Sequence, residues 1–234
     1  MKEVSSRVRT ISDIVTTIAV VAAAASLVWR VFASPAIGTG RQVAVTELDG
    51  DIQPRDDVAR LGSPTAGIAL IEFVDFECPF CRRYAQDALK VIEREYIEPR
   101  HVQYLSLHLP LDEIHPHALD AAQAAQCAAA AGLYWQMHGR LFGESRPLER
   151  KVLLTNAVDL GLPGSSFEEC LQGQTDSAIT HDRSEAQRLG VVSTPTFLIG
   201  AVQSDGRIRL RRRIVGAQPY RVFKDALDEA LAGK

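Results

Sequence analysis

The residues with the clearest capacity for chemistry are the cysteines of Cys78-Pro79-Phe80-Cys81, in a chain of 234 residues. Upstream, Ile68 to Phe76 is an apolar, β-branched and aromatic run bounded by Gly62-Ser63-Pro64 and Gly67, which predicts a central strand. Pro79 sits where a first-turn proline is welcome, because the amide it lacks would have no intrahelical partner. Beyond it, Tyr84, Ala85, Ala88, Leu89, Val91 and Ile92 recur at helical spacing. Cys78 is therefore expected at a helix N-terminus and Cys81 one turn in. A thiolate there faces unpaired amides and the positive end of the macrodipole, so its pKa should fall. Cys81 would then attack any mixed disulfide formed at Cys78. Cys-x-x-Cys spacing also suits half of a zinc site, but Cys127 and Cys170 stand alone and form no second close pair.

The elements that must hold this pair are legible in outline. His101 to Leu107 alternates as a second strand, parallel to the first by the strand-helix-strand pattern. From Ala118 to about Leu189 the chain is helical and alanine-rich, with Gly132, Gly143, Pro147, Gly161 and Gly173 dividing it into four or five short helices. Thr196 to Ile199 and Ile208 to Val215 read as a hairpin about a turn at Gln203 to Gly206, and Pro219 to Leu231 as a closing amphipathic helix. Residues 34–63, rich in Gly, Pro, Asp and Arg, read as a tether with a short strand at Val43 to Leu48. Arg211-Arg212-Arg213 is expected on the solvated part of an edge strand.

Composition is that of a globular protein: 46% hydrophobic, 24% charged, net charge −3, which gives no reason to expect nucleic acid. Ile14 to Trp29 carries no charge and follows Lys2, Arg7 and Arg9, so residues 1–33 read as a cytoplasmic N-terminus with a signal anchor. The run is shorter than the roughly 20 residues that span a bilayer, Arg30 can snorkel to extend it, and cleavage near Ala33 or Ala36 stays open. Everything after about residue 34 is expected outside the cytoplasm, at the periplasmic face of the membrane. The six histidines are scattered, and His115-Pro116-His117 has no acidic or thiol ligands near it in sequence; no metal is expected.

Cys78-Pro79-Phe80-Cys81 after an apolar strand, with Ser193-Thr194-Pro195-Thr196-Phe197 more than a hundred residues later, resembles the DsbA-like thiol-disulfide oxidoreductases. The likeness is to the membrane-anchored DsbA and BdbD type. Ile114-His115-Pro116, Cys127 to Phe142, Leu189 to Ile199 and Gly216-Ala217-Gln218-Pro219-Tyr220 extend it over roughly residues 61–232. It implies an α/β thioredoxin fold over residues 64–234, with a helical insertion at about 115–189, behind the anchor. It implies a cis Thr194-Pro195 peptide beside the sulfurs, with Pro79, Phe80, Thr194 and Pro195 meeting the substrate. It also implies a buried acid at Glu72 that exchanges a proton with Cys81; Asp75 and Glu77 are weaker candidates, more often solvated. Cys127 and Cys170 would form a structural disulfide, with two buried free thiols as the alternative.

The activity implied is the passing of the Cys78-Cys81 disulfide to folding exported proteins, without cofactor, through a mixed disulfide at Cys78. An integral-membrane partner of the DsbB or VKOR type would reoxidise it. A reductase or isomerase using the same site, or a non-catalytic binding or chaperone module, stays open. The strongest oxidants carry histidine where Phe80 stands, and Phe80 offers no hydrogen bond or charge. That departure implies a less oxidising disulfide.

Overall fold

The computed structural model describes residues 45–173 and 176–233. The expected anchor lies outside these residues, and among the described residues no helix is long and apolar enough to cross a membrane. The central strand β3 (Ile68–Val74) is buried along its whole length, as its unbroken apolar run requires. It pairs in parallel with β4 (Val102–His108) and antiparallel with β5 (Thr196–Val202), which turns back into β6 (Ile208–Val215). The strand ends at Val74, short of the Phe76 expected from the apolar run, because the Asp75 side chain takes the next amides into a turn.

Two corrections concern the edges. The stretch read as a tether with a short strand at Val43 to Leu48 supplies a longer β1 (Val45–Ile52) and also β2 (Ala59–Leu61), so the sheet runs β1-β6-β5-β3-β4-β2. Its acids mask the full length of the strand: Glu47 and Asp49 face the arginines of β6 and pair with Arg212 at 3.2 Å and Arg209 at 2.7 Å. For the same reason Arg211-Arg212-Arg213 is not on an edge, since β1 covers β6. Charged residues on the true edge strand discourage pairing with another chain.

Alternation sorts the sheet into two apolar faces. Ile68, Leu70, Tyr104, Phe197 and Ile199 pack against α1 (Pro79–Gln86), α2 (Ala88–Ile92) and α8 (Tyr220–Ala232). Ala69, Ile71, Phe73, Leu105 and Leu198 pack against the end of α7 (Asp176–Arg188). The insertion consists of α3 (Ala118–Ala129), α4 (Tyr134–Gly143), α5 (Arg150–Asp159), α6 (Gly164–Cys170) and α7. Small side chains at Ala121, Ala124, Ala125 and Ala128 let α3 lie in the middle of this layer, fully buried. A disulfide joins Cys127 to Cys170 across 43 residues, a closure that removes about 4 kcal/mol of chain entropy from the unfolded state.

A buried polar network ties the layers together. Arg55 donates from Nε to Asp182 at 3.0 Å, Asp182 accepts the His108 amide at 2.9 Å, and Gln126 bridges the His108 ring and Asp57. Asp182 is 1% exposed, so its loss would leave the Arg55 guanidinium with Asp57 alone and the His108 amide without its acceptor. Asp182→Ala is expected to lower stability by roughly 2–4 kcal/mol in urea denaturation. A change below about 0.5 kcal/mol, the range of an ordinary surface substitution, would contradict this role for Asp182.

Candidate active site

The turn after β3 is built by one carboxylate. Asp75, 1% exposed, accepts the Glu77 amide at 2.8 Å and the Cys78 amide at 3.2 Å on one oxygen. Its other oxygen accepts the Leu111 amide at 2.8 Å and meets the His115 ring nitrogen at 2.8 Å. Glu77 in turn accepts the His117 amide at 2.6 Å. The expectation that Asp75 and Glu77 are solvated strand-end residues is therefore corrected: both bind the His115-Pro116-His117 loop to the turn. The histidines there serve loop geometry, and among the described residues no group of three or more His, Cys, Asp or Glu is placed to hold a metal.

Cys78 is the N-cap of α1, Pro79 begins the helix, and the Arg82 amide closes the first bond onto the Cys78 carbonyl at 3.1 Å. Both thiols are free in this structure. The Cys78 Sγ lies 3.4 Å from the Thr194 carbonyl, and Thr194-Pro195 is cis. So Cys78, Cys81, Thr194 and Pro195 meet, although 116 residues separate Cys78 from Thr194. Phe80 projects to solvent at 51% exposure, with the Arg83 guanidinium 5.1 Å from its ring centre. Val192, 85% exposed two residues before Thr194, carries the apolar rim further.

The two sulfurs differ in electrostatics. A hydrogen bond from the Cys81 thiol first, helped by the Thr194 side chain and the Cys81 and Phe80 amides, brings the Cys78 pKa down to about 5 against the opposing effect of burial. Burial drives the Cys81 thiol well above the usual value, helped by its bond to Cys78 and by the charge of Glu72. Glu72, 1% exposed in mid-strand, is pushed up to about 8 by desolvation, despite a hydrogen bond from the Tyr104 hydroxyl. Its Oε1 has no partner. The set can hold a thiolate at the helix N-terminus, a thiol one turn further in and an exchangeable proton behind both. Tyr104 was missed in the sequence reading; the sole signal was its place two residues from the partner of Glu72 on β4.

The protein-family model described as Thioredoxin matches residues 55–212. Curated relatives include Na(+)/H(+) antiporter NhaA 3 of Salinispora tropica, 33% identical over 168 residues, which cover 71% of this chain and 25% of the antiporter. Na(+)/H(+) antiporter NhaA 1 of Mycobacterium sp. strain KMS is 32% identical over 158 residues, 66% of this chain and 25% of the antiporter. The chain thus spans about a quarter of the length of these relatives. Among solved structures, Wolbachia pipientis alpha-DsbA1 superposes with a TM-score of 0.66 at 21% identity, over 78% of this chain and 94% of its own. Oxidised BdbD from Bacillus subtilis gives 0.64 at 20% identity, over 79% and 98%. At such identities the likeness is one of fold.

Ionisation of Cys78 gives two expected outcomes. Thiolate absorbance of the reduced protein should titrate with a midpoint near 5 and vanish in Cys78→Ser; a midpoint near the free-thiol value of about 8.5 would contradict the site described. Because this folded-state pKa is depressed, ionised Cys78 stabilises the reduced form above the unfolded thiol's pKa, and that stability is lost as pH falls through about 5. Glu72 has the opposite sign: its bound proton stabilises the fold fully below 4.5, and that contribution is lost as pH rises through about 8. Glu72→Gln should therefore gain roughly 3–5 kcal/mol on the wild type between pH 5 and pH 9 in denaturation of the reduced protein. A pH-independent difference would show that Glu72 does not titrate in the fold.

Proposed function

The chain belongs to the thioredoxin family, and on that premise we propose that it is a thiol-disulfide oxidoreductase that donates the Cys78-Cys81 disulfide to exported proteins. The observation that carries this reading is the inequality of the two sulfurs: Cys78 at a helix N-terminus beside Thr194-Pro195, ionised above about pH 5, and Cys81 buried and protonated.

In the donating direction, a substrate thiolate attacks Cys78 Sγ. The bond to Cys81 breaks, its electron pair stays on Cys81, and Glu72 supplies the proton. A second substrate thiolate then attacks the substrate sulfur of the mixed disulfide, and Cys78 leaves as a thiolate, the better leaving group for its low pKa. Two electrons pass to the protein, so it must be reoxidised. An integral-membrane oxidant of the DsbB or VKOR type fits the reading, with Phe80 and Val192 as apolar contacts for an extended substrate. The Phe80 side chain supplies no hydrogen bond to the thiolate, which favours a disulfide of moderate oxidising strength.

The same reading takes the catalytic domain to lie outside the cytoplasm, held by the apolar run 14–29. The basic residues before that run and the Cys127–Cys170 disulfide support this, since structural disulfides persist where thiols are not kept reduced. A reductase or isomerase would use the same atoms with electrons flowing the other way. The antiport named for the curated relatives belongs to proteins of about four times the matched length, and it is not carried over.

Cys81→Ala, expressed in the full chain, should accumulate mixed disulfides with substrate proteins, visible as reductant-sensitive high-mass species. Cys78→Ala should accumulate none. A Cys81→Ala chain that traps nothing would favour a non-catalytic binding module, and equal trapping by both variants would contradict Cys78 as the attacked sulfur.

A further inference from the structure

We propose that Tyr104 is the positioning residue for proton transfer at Cys81: its hydroxyl holds the Glu72 carboxyl and decides how readily that carboxyl accepts the Cys81 proton. The inference deepens the thiol-disulfide reading and rests on it. The parallel register sets Leu70 opposite Tyr104 and Glu72 opposite Ser106, and alternate strand residues share a face. Tyr104 and Glu72 are thus diagonal neighbours on one side of the sheet. Tyr104 is fully buried and donates its hydroxyl hydrogen to Glu72 Oε2. Oε1 has no hydrogen-bond partner, which leaves it able to take up a proton.

The surroundings of this pair are uncharged apart from the cysteines. From α1 come Cys78, Cys81 and Tyr84; from β4, Tyr104; from α4, Tyr134, which donates to Ser106 at 2.8 Å. β5 and α8 contribute Phe197 and Phe223, whose rings stack with Tyr84. Among the described residues no basic side chain is paired with Glu72. Burial keeps Tyr84, Tyr104 and Tyr134 as neutral phenols. Tyr104 therefore offers a hydrogen bond without a charge. A cation in its place would hold Glu72 ionised, and a phenyl ring would leave it a protonated acid. The phenol leaves the carboxyl able to do both.

During resolution the Cys81 S–H bond breaks and the proton passes to Glu72. Cys81 Sγ bonds Cys78 Sγ, and the Cys78–substrate bond breaks with its electron pair on the substrate sulfur. The Tyr104 hydroxyl keeps its own proton throughout, and its hydrogen bond to Glu72 is stronger before the transfer, when the carboxylate is charged, than after it.

The test is stopped-flow release of glutathione from the Cys78 mixed disulfide of the full chain, followed over pH. The wild type should release faster as pH rises, with a midpoint near 8. In Tyr104→Phe the midpoint should move up by about 1–2 units, slowing release at pH 7 roughly 10- to 100-fold, while the Cys78 thiolate midpoint stays near 5. An unmoved release midpoint in a folded Tyr104→Phe overturns the proposal. Biosynthetic 3-fluorotyrosine in the wild-type chain makes a stronger donor and should move the midpoint down; no movement overturns the proposal even where Tyr104→Phe does not fold. A wild type that releases no faster than Cys81→Ala overturns the oxidoreductase reading instead, which keeps the two failures apart.

Discussion

Two thiols one helical turn apart lie in opposite environments, and the rest of the site depends on that difference. A sulfur at the N-cap of α1 receives hydrogen bonds that favour its anion. Three residues on, the chain has turned inward and the second sulfur is fully buried above a carboxyl that is costly to ionise. Neither environment follows from cysteine itself. Both follow from where β3 stops, and Asp75 fixes that point by gathering three amides and a histidine ring around one side chain.

Holding an acid such as Glu72 inside a sheet requires that water be kept out and that few other charges compete. The two helical layers do this with apolar and aromatic groups. Phe76, His138 and Phe142 pack ring against ring behind the cysteine turn, and burial brings His138 down to about 3, so that it stays neutral. On the other side Tyr84, Phe197 and Phe223 form a second aromatic group. Charges needed for stability are paired. Asp182 and Arg55 pair where β4 ends at His108, and the arginines of β6 are neutralised by the acids of β1.

Much of this was legible in the residues, and the failures have physical causes. The unbroken apolar run of β3, proline at the start of α1 and the alanines of α3 each report a local rule, so those elements were read correctly from local pattern. β1 is legible only as a short strand at Val43 to Leu48, because the acids beyond it look like a solvated turn; their distant partners on β6, well over a hundred residues away, carry the strand on to Ile52. Asp75 reads as a solvated strand end for the same reason, since the Leu111 amide and the His115 ring come from a loop whose approach no local pattern encodes. Glu72 is implied by the family resemblance, with support from the cost of a carboxylate inside an apolar strand. Tyr104 gives no such signal, as an aromatic residue in a strand is ordinary.

The central claim is that Cys78 is a thiolate and Cys81 a thiol when the pair is reduced, and the pH dependence of the reduction potential tests it most directly. Two electrons accompanied by two protons give a slope of about 59 mV per pH unit, and by one proton about 30 mV. Equilibration of the Cys78-Cys81 couple with a thiol redox buffer should show the steeper slope below pH 5 and the shallower one from pH 5 to neutrality. A slope that stays near 59 mV per unit through pH 8 would mean that both sulfurs keep their protons, and the account would be contradicted at its base.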